Sequence, residues 1–301
     1  MTTRLDLHPA PEPATAPNYK AALAALVTVV LWASAFVGIR MAADTYSPGA
    51  LAFGRITVAA LVLGAIALRY RRPFPRGTAL LLVAVYGAAW FAAYTVVLNT
   101  AEHHLDAGTA AMLVNVAPIL VAVFAGLFLA EGFPRPLLVG IAIAFSGVIL
   151  IGIGGSGGGT ANDAIGIALG LLAAVLYGFG VLTQKVALRR IDAFTATFLG
   201  AASGAVVLLP FAPRFVAETA TVPGSGFALV VYLGVFPTAI AFTTWAYALA
   251  RTNAGRLTAT TLTVPAIAIA LSWAILGELP TVLGMIGGSL CLLGVAISRR
   301  R

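Results

Sequence analysis

The sequence predicts an all-α integral membrane protein whose ten transmembrane helices form two inverted five-helix repeats. Three observations predict this fold. Only 9% of the 301 residues are charged and 60% are hydrophobic, whereas a soluble domain has roughly 25% charged residues. Many uncharged stretches have about 20 residues, which is the length that crosses a bilayer as a helix. The second half of the chain also repeats the first.

Nine stretches lack Asp, Glu, Lys, Arg and His, and a tenth, residues 49–68, is interrupted only by Arg55. They are apolar on all sides, which is typical of helices surrounded by lipid, whereas a soluble bundle requires polar faces at a helical period. The nine stretches are 21–39, 77–101, 107–130, 136–162, 164–184, 193–213, 219–250, 257–277 and 279–298.

The 18 basic residues are distributed unevenly across the predicted spans. With the N-terminus inside, fifteen of them fall on the inner side, Arg40 and Arg214 fall on the outer side, and Arg55 lies within the membrane. This positive-inside bias predicts that both termini face the cytoplasm. The net charge of +8 therefore reflects topology, and we expect no binding to nucleic acid.

Composition also divides the chain. Residues 1–19 are predicted to be a disordered cytoplasmic tail, 20–153 the first repeat, 154–163 a glycine-rich linker, and 164–301 the second repeat. The single cysteine, Cys291, falls in the last span, which excludes a disulfide within one chain.

The repeat is clearest between "LVNVAPILVAVFAGLFLAEG" (113–132) and "TTLTVPAIAIALSWAILGEL" (260–279). An offset of 147 aligns Pro118 with Pro265 and Glu131 with Glu278 without a gap. Because each half carries five predicted spans, an odd number, the second half must enter the membrane from the opposite side. Inverted repeats of this kind are typical of secondary transporters, which bind solute near the midplane between the halves.

These segments, "VAPI…GLFLAEG" and "VPAI…AILGEL", each followed by a glycine-punctuated helix, resemble the EamA family of the drug/metabolite transporter superfamily. The resemblance covers essentially the whole chain after the tail. It implies a ten-helix basket with cytoplasmic termini. It also implies export of small metabolites, amino acids among them, through a central cavity.

The two prolines and two glutamates have distinct expected roles. Pro118 and Pro265 remove helical hydrogen bonds to Val114 and Thr261, so we expect paired bends used in gating, although either could be a harmless kink. Glu131 and Glu278 are expected to cap the following helices and hold tight turns, with substrate contact the lesser alternative. Six glycines are expected to permit close helix packing: Gly140, Gly147, Gly284, Gly287, Gly288 and Gly294.

Aromatic and neutral polar residues in mid-span are the candidates for the substrate cavity, although the aromatic residues could equally serve helix packing. The candidates are Trp32, Ser34, Tyr86, Trp90, Tyr94, Asn115, Tyr177, Gln184, Thr244 and Thr263. A cavity built from them suits small amphipathic or zwitterionic solutes. Phosphorylated solutes would require Lys or Arg clamps.

Charged residues near the membrane complete the predictions. Arg40 is expected to pair with Asp44 one helical turn later. Arg55 needs a partner, such as Asp44 or Glu278, unless it snorkels to the interface. The segment "AEHHLDAG" (101–108) is read as a solvated outer loop rather than a metal site. No acidic residue lies deep in a predicted span, which argues against proton coupling through a carboxylate.

The sequence therefore predicts an exporter of small amphipathic metabolites in a bacterial plasma membrane, with alternating access and no cofactor or metal. A carrier of phosphorylated or nucleotide-sugar solutes is the nearest alternative. A membrane enzyme or a non-transporting scaffold is a more distant one. The sequence does not indicate the oligomeric state.

Overall fold

The computed structural model describes residues 19–70, 75–120, 135–154, 161–222, 224–252, 257 and 260–298. Within these ranges the chain is helical and contains no β-strand. Glu131, most of the predicted tail and most of the predicted linker lie outside the described residues.

The first half contributes helices α1 to α5. Their bounds are Tyr19–Ala42 for α1, Pro48–Tyr70 for α2, Thr78–Ala101 for α3, Ala107–Leu120 for α4 and Arg135–Gly154 for α5. Helix α4 begins where Asp106 accepts hydrogen bonds from the Thr109 amide, at 2.9 Å, and from the Thr109 hydroxyl, at 2.6 Å. This N-cap satisfies an amide that the first helical turn leaves unpaired.

The second half contributes helices α6 to α10. Helix α6 is Ala161–Ala187, and α7 is Ala193–Val207, continued after a 54° bend by Leu209–Thr219. Helix α8 is Gly224–Arg251, α9 is Val264–Leu276 and α10 is Val282–Ser298. Helix α9 ends at Gly277, whose φ of 69° is a left-handed conformation that glycine adopts readily.

Helix length and composition confirm a membrane protein. Five helices, α1, α2, α3, α6 and α8, are long and apolar enough to cross a bilayer, and the two parts of α7 together would make a sixth. Helices α4, α5, α9 and α10 are apolar but shorter over their described residues. The predicted number of ten spans thus stays a prediction.

The closest helix pair in the described structure, α5 and α10, relates the two halves. A Cβ atom added to Gly140 would lie 2.5 Å from the Gly294 carbonyl oxygen, and one added to Gly287 would lie 2.5 Å from the Gly147 carbonyl oxygen. The repeat offset of 147 relates Gly140 to Gly287 and Gly147 to Gly294, so it converts the first contact into the second. Such self-mapping is what a pseudo-two-fold axis between the halves requires.

Other helix contacts also join the two halves in equivalent ways. Helix α1 of the first half packs on α8 and α9 of the second half, and α6 packs on α3 and α4 of the first half. The first helix of each half therefore packs against helices of the other half. This arrangement surrounds a space at the centre of the bundle.

Four helices that face this space are irregular. Residues 87–94 of α3 and 235–240 of α8 form wider π-helical turns at equivalent positions in the two halves. In α4 the regular helix gives way at Asn115 to a turn before Pro118, and a 3₁₀ turn, Thr261–Thr263, precedes Pro265. The regular helix thus ends before Pro118 in α4 and begins only at Val264, beside Pro265, in α9. The use of these irregular turns in gating stays a prediction.

Candidate functional site: a central aromatic cavity

A cavity of about 40 Å³ lies between the two halves. Residues from seven helices and the 3₁₀ turn line it. They are Trp32, Ala35, Phe36 and Ile39 of α1, Arg55 of α2, Trp90, Tyr94 and Leu98 of α3, Val114 and Asn115 of α4, Tyr177 of α6, Phe242 of α8, Thr261 of the 3₁₀ turn and Val264 of α9.

Aromatic rings form most of one wall. The ring centroid of Trp90 lies 5.2 Å from that of Tyr177 and 5.0 Å from that of Phe242, in edge-to-face geometry. Trp32 lies 5.3 Å from Phe242 and 4.9 Å from Trp245. Edge-to-face contacts stabilise such clusters beyond simple burial. The result is a rigid apolar surface on which an aliphatic or aromatic group of a solute can pack.

Arg55 is the one cationic side chain in the described lining, and it is 6% exposed. Its guanidinium donates from Nε and Nη2 to the Thr238 hydroxyl, at 3.3 and 3.2 Å. That hydroxyl donates to the Leu233 carbonyl at 2.7 Å. Pro237 has no N–H to offer this carbonyl, so the hydroxyl of Thr238 replaces the missing helical donor. A proline in α8 thus positions the partner of Arg55.

The predicted ion partners of Arg55 were wrong. Glu278 is bonded to Arg40, and no carboxylate among the described residues lies within 4 Å of the Arg55 guanidinium. Snorkelling is also wrong, because the side chain is buried against Thr238. The physical reason is that the π-helical turn of α8 supplies a neutral partner, the Thr238 hydroxyl.

Five of the ten predicted cavity residues line the cavity: Trp32, Trp90, Tyr94, Asn115 and Tyr177. The indole N–H groups of Trp32 and Trp90 have no acceptor among the described residues. Asn115 donates to the Ala111 carbonyl one turn earlier, at 2.9 Å. Their contact with a solute stays a prediction.

The other five predicted residues are absent from the described lining and bond elsewhere. Gln184 donates to the Tyr86 hydroxyl at 2.8 Å, and both side chains are buried between α6 and α3. Thr244 lies 2.8 Å from the Thr28 hydroxyl, Ser34 accepts from the Tyr232 hydroxyl at 2.7 Å, and Thr263 donates to the Thr260 carbonyl at 2.7 Å. The hydrogen-bond partner of each of these five residues also lies outside the described lining.

Sequence reasoning missed several lining residues. Phe36, Ile39, Leu98 and Phe242 are apolar residues in apolar helices, so the sequence offers no signal that separates them from lipid-facing or core residues. Phe242 follows the π-helical turn of α8, and that turn rotates the helix face.

An ion pair closes one end of the bundle, which we call the predicted outer end because the charge distribution places it outside. The Arg40 guanidinium lies 3.1 Å from the Glu278 carboxylate, and its Nη1 donates to the Glu102 carbonyl at 3.3 Å. Two expectations are wrong here. Arg40 bonds to Glu278 rather than Asp44, and Thr281, whose hydroxyl accepts from the Gly284 amide at 3.0 Å, caps α10 in place of Glu278.

Glu102 lies in the same region and is fully buried, with no hydrogen-bond partner for either carboxylate oxygen among the described residues. Burial, the largest effect, raises the pKa of Glu102 well above its usual range, although Arg55 and Arg40 oppose the shift. The reading of residues 101–108 as a solvated loop is therefore wrong for Glu102. The apolar neighbours in "AEHHL" (101–105) were the sequence signal for burial of Glu102, because Ala101 and Leu105 are buried beside it.

Lys185 occupies the equivalent place in the second half, at the predicted inner end. Its ammonium donates to the carbonyls of Leu249 and Thr252, the latter at 2.9 Å. Leu249 lies 147 residues after Glu102, whose carbonyl accepts from Arg40. The two basic side chains therefore hold equivalent helix ends on opposite sides of the bundle.

The model of the EamA-like transporter family matches residues 19–153 and again residues 164–300. The chain belongs to this family. This EamA-like transporter is 38% identical over 284 residues to a protein of Streptantibioticus cattleyicolor named as a probable terminal-alkyne amino-acid exporter, and the match covers 94% of each chain.

Other similar proteins are also named as transporters. Uncharacterized transporter YdfC of Bacillus subtilis (strain 168) is 32% identical over 271 residues, covering 89% of this EamA-like chain and 87% of that protein. The inner membrane transporter YedA of Escherichia coli (strain K12) is 26% identical over 252 residues. A solved crystal structure matches with a TM-score of 0.64 at 18% identity, covering 93% of this chain and 97% of the other, which supports the fold alone.

Proposed function

We propose that the protein exports small amphipathic metabolites, amino acids or related compounds, across a bacterial plasma membrane, with both termini in the cytoplasm. The observation that carries the proposal is the central cavity, which both halves line with aromatic rings and one guanidinium. The name of the Streptantibioticus cattleyicolor relative supports amino acids as the class. The positive-inside charge distribution supports the orientation.

The mechanism we propose is alternating access. A cavity of about 40 Å³ holds roughly three water molecules, since each needs about 10–15 Å³, and pockets for small molecules usually measure about 300–1,000 Å³. A solute therefore fits only after the lining helices move apart. Helices α4 and α9, with irregular turns beside Pro118 and Pro265, are the proposed hinges, while α5 and α10 hold the scaffold.

Carriage of phosphorylated or nucleotide-sugar solutes is the less favoured alternative. A phosphate dianion is usually held by several basic side chains. The described cavity lining offers Arg55 alone among arginine and lysine.

The test is efflux from liposomes that contain the purified full-length protein. The liposomes are loaded with a mixture of labelled amino acids, and efflux is compared with protein-free liposomes, with and without a pH gradient. We expect selective efflux of amino acids with apolar side chains. Absence of efflux of every amino acid, while sugars or phosphates leave the vesicles, would contradict the proposal.

A further inference from the structure

The central cavity has an unbalanced charge. Arg55 is buried within it, its described hydrogen-bond partner is the neutral Thr238 hydroxyl, and no described carboxylate lies within 4 Å. A cation held away from water is costly unless a counter-charge or strong acceptors meet it. A buried Arg55 without a carboxylate partner among the described residues therefore points to an anionic ligand.

Glu102 forms no ion pair with Arg55 in this structure. Its carboxylate is fully buried without a hydrogen-bond donor among the described residues. Burial raises its pKa, which opposes ionisation of the carboxyl group. The two groups are near enough to influence each other, yet they form no ion pair.

The same cavity also has unused hydrogen-bond donors. The indole N–H groups of Trp32 and Trp90 lack acceptors among the described residues, and both rings line the cavity together with Arg55. A buried donor without an acceptor costs about 1–3 kcal/mol. Two such donors beside an uncompensated guanidinium favour a ligand that accepts hydrogen bonds and carries negative charge.

We propose that Arg55 binds the carboxylate of the transported solute. This inference rests on the proposed function and names the group by which the solute is recognised. The ligand class is a monocarboxylate with an apolar body, such as an α-amino acid with an aliphatic side chain. The guanidinium takes the carboxylate, and the rings of Trp90, Tyr177 and Phe242 take the apolar body. A single guanidinium balances the charge of a monoanion, whereas a phosphate dianion would leave one negative charge in the cavity without a described partner.

The experiment uses full-length protein in detergent and measures quenching of intrinsic tryptophan fluorescence, which needs no transport. Five probes differ in one group each: norleucine, its methyl ester, pentylamine, hexanoate and butyl phosphate. We expect norleucine and hexanoate to bind at least about tenfold more tightly than the ester and the amine, since charge-assisted hydrogen bonds contribute about 1.5–3 kcal/mol.

Two variants test the residue. Arg55→Gln removes the charge and should reduce norleucine affinity to that of its ester, whereas Arg55→Lys keeps the charge and should retain part of the discrimination. Arg214→Gln is the matched control, because Arg214 pairs with Glu218 on the surface, away from the cavity. Thermal unfolding of each variant establishes folding, and the probe series on the unaltered protein decides the question if Arg55→Gln does not fold.

The outcomes separate the two proposals. Equal binding of norleucine, ester and amine, or unchanged discrimination in folded Arg55→Gln, overturns the role of Arg55. Tighter binding of butyl phosphate than of hexanoate overturns the choice of carboxylate. Binding of hexanoate without binding or efflux of any amino acid supports Arg55 and contradicts amino-acid export. Efflux of amino acids from liposomes without selective binding of the acids overturns Arg55 and leaves the proposed export standing.

Discussion

Arg40 and Glu278 form an ion pair with a nitrogen–oxygen distance of 3.1 Å, and the pair joins the end of α1 in the first half to the turn after α9 in the second. Each side chain is about one-third exposed, so the bond is weak enough to break during a transport cycle. Such partly exposed pairs contribute about 0.2–1 kcal/mol. Lys185 holds the opposite end of the bundle through the carbonyls of Leu249 and Thr252.

Loss of either basic side chain is expected to open its own end of the protein. Arg40→Gln should favour the outward-open state and Lys185→Gln the inward-open state, by up to about fivefold in population for a contact of about 1 kcal/mol. The measurement uses the Cys291→Ala background with Ala35→Cys on the cavity wall and a membrane-impermeant maleimide applied outside cells. Arg40→Gln should label faster than the parent, and Lys185→Gln more slowly.

The charge-exchanged pair Arg40→Glu with Glu278→Arg is the control, and it should return labelling toward the parent rate. Faster labelling in Lys185→Gln and slower labelling in Arg40→Gln would show that the predicted membrane orientation is reversed. Equal labelling in all variants would show that these contacts do not hold the ends closed.

Glu102 is expected to make closure at the predicted outer end dependent on pH. Its pKa is raised by burial and by the carboxylates of Asp106 and Glu278, and lowered by Arg55 and Arg40. An open state that exposes Glu102 to water restores a pKa of about 4.3. Stabilisation of the closed state is therefore complete below that value and is lost as pH rises through the raised pKa. Thiolate formation alone raises the maleimide rate with pH, so each labelling rate of Ala35→Cys is divided by the rate for a cysteine on the exposed outer surface at the same pH. We expect this corrected labelling from outside to increase with external pH.

Glu102→Gln imitates the protonated carboxyl, so it should abolish this dependence and keep the corrected labelling low at alkaline pH. The matched control is His103→Gln. Burial lowers the pKa of His103, so loss of its proton favours the closed state as pH rises. This effect is opposite in sign to that of Glu102. An increase of corrected labelling with pH that persists in Glu102→Gln would assign the effect to another group.

The sequence predicts the broad architecture because hydropathy and charge act over whole segments. Nine uncharged stretches and an offset of 147 indicate helices and repeat, and the glycines at 140, 147, 287 and 294 indicate close packing. The described contacts between α5 and α10 agree with that expectation. These features depend on composition and spacing, which a single sequence contains.

Pairing of individual side chains was harder to predict, because it depends on local helix geometry. The π-helical turns at 87–94 and 235–240 rotate the faces of α3 and α8. A regular period of 3.6 therefore places Tyr86 and Trp90 together on the cavity face, whereas Trp90 lines the cavity and Tyr86 packs against Gln184. The partner of Arg55, Thr238, comes from the second turn. Pro237 within that turn was the available signal, since it deprives Leu233 of its helical donor.

Tyr86 and Tyr94 are expected to respond differently to loss of the hydroxyl. Tyr86→Phe removes the partner of the buried Gln184 amide, which should lower the free energy of unfolding by about 1–3 kcal/mol and leave the KM for the transported solute unchanged. Tyr94→Phe lies on the cavity wall and should change KM with little effect on stability. Thermal unfolding and efflux kinetics of both variants distinguish the roles, and the reverse pattern would place Tyr86 in the site.

Substitution of Gly147 tests the contact between α5 and α10, because the contact predicts destabilisation where a free helix would be stabilised. Replacing glycine by alanine inside a free helix stabilises it by about 1 kcal/mol. A Cβ atom at Gly147, however, would lie 2.4 Å from the backbone oxygen of Gly287, and such overpacking costs about 1–3 kcal/mol. We therefore expect Gly147→Ala to lower the unfolding midpoint in detergent. Gly224→Ala is the matched control, since a Cβ atom there meets nothing within 4 Å, and it should be neutral or stabilising. A stabilising effect at Gly147 would mean that α5 and α10 are not in contact through these glycines, and the pseudo-two-fold arrangement of the halves would then lose its closest contact.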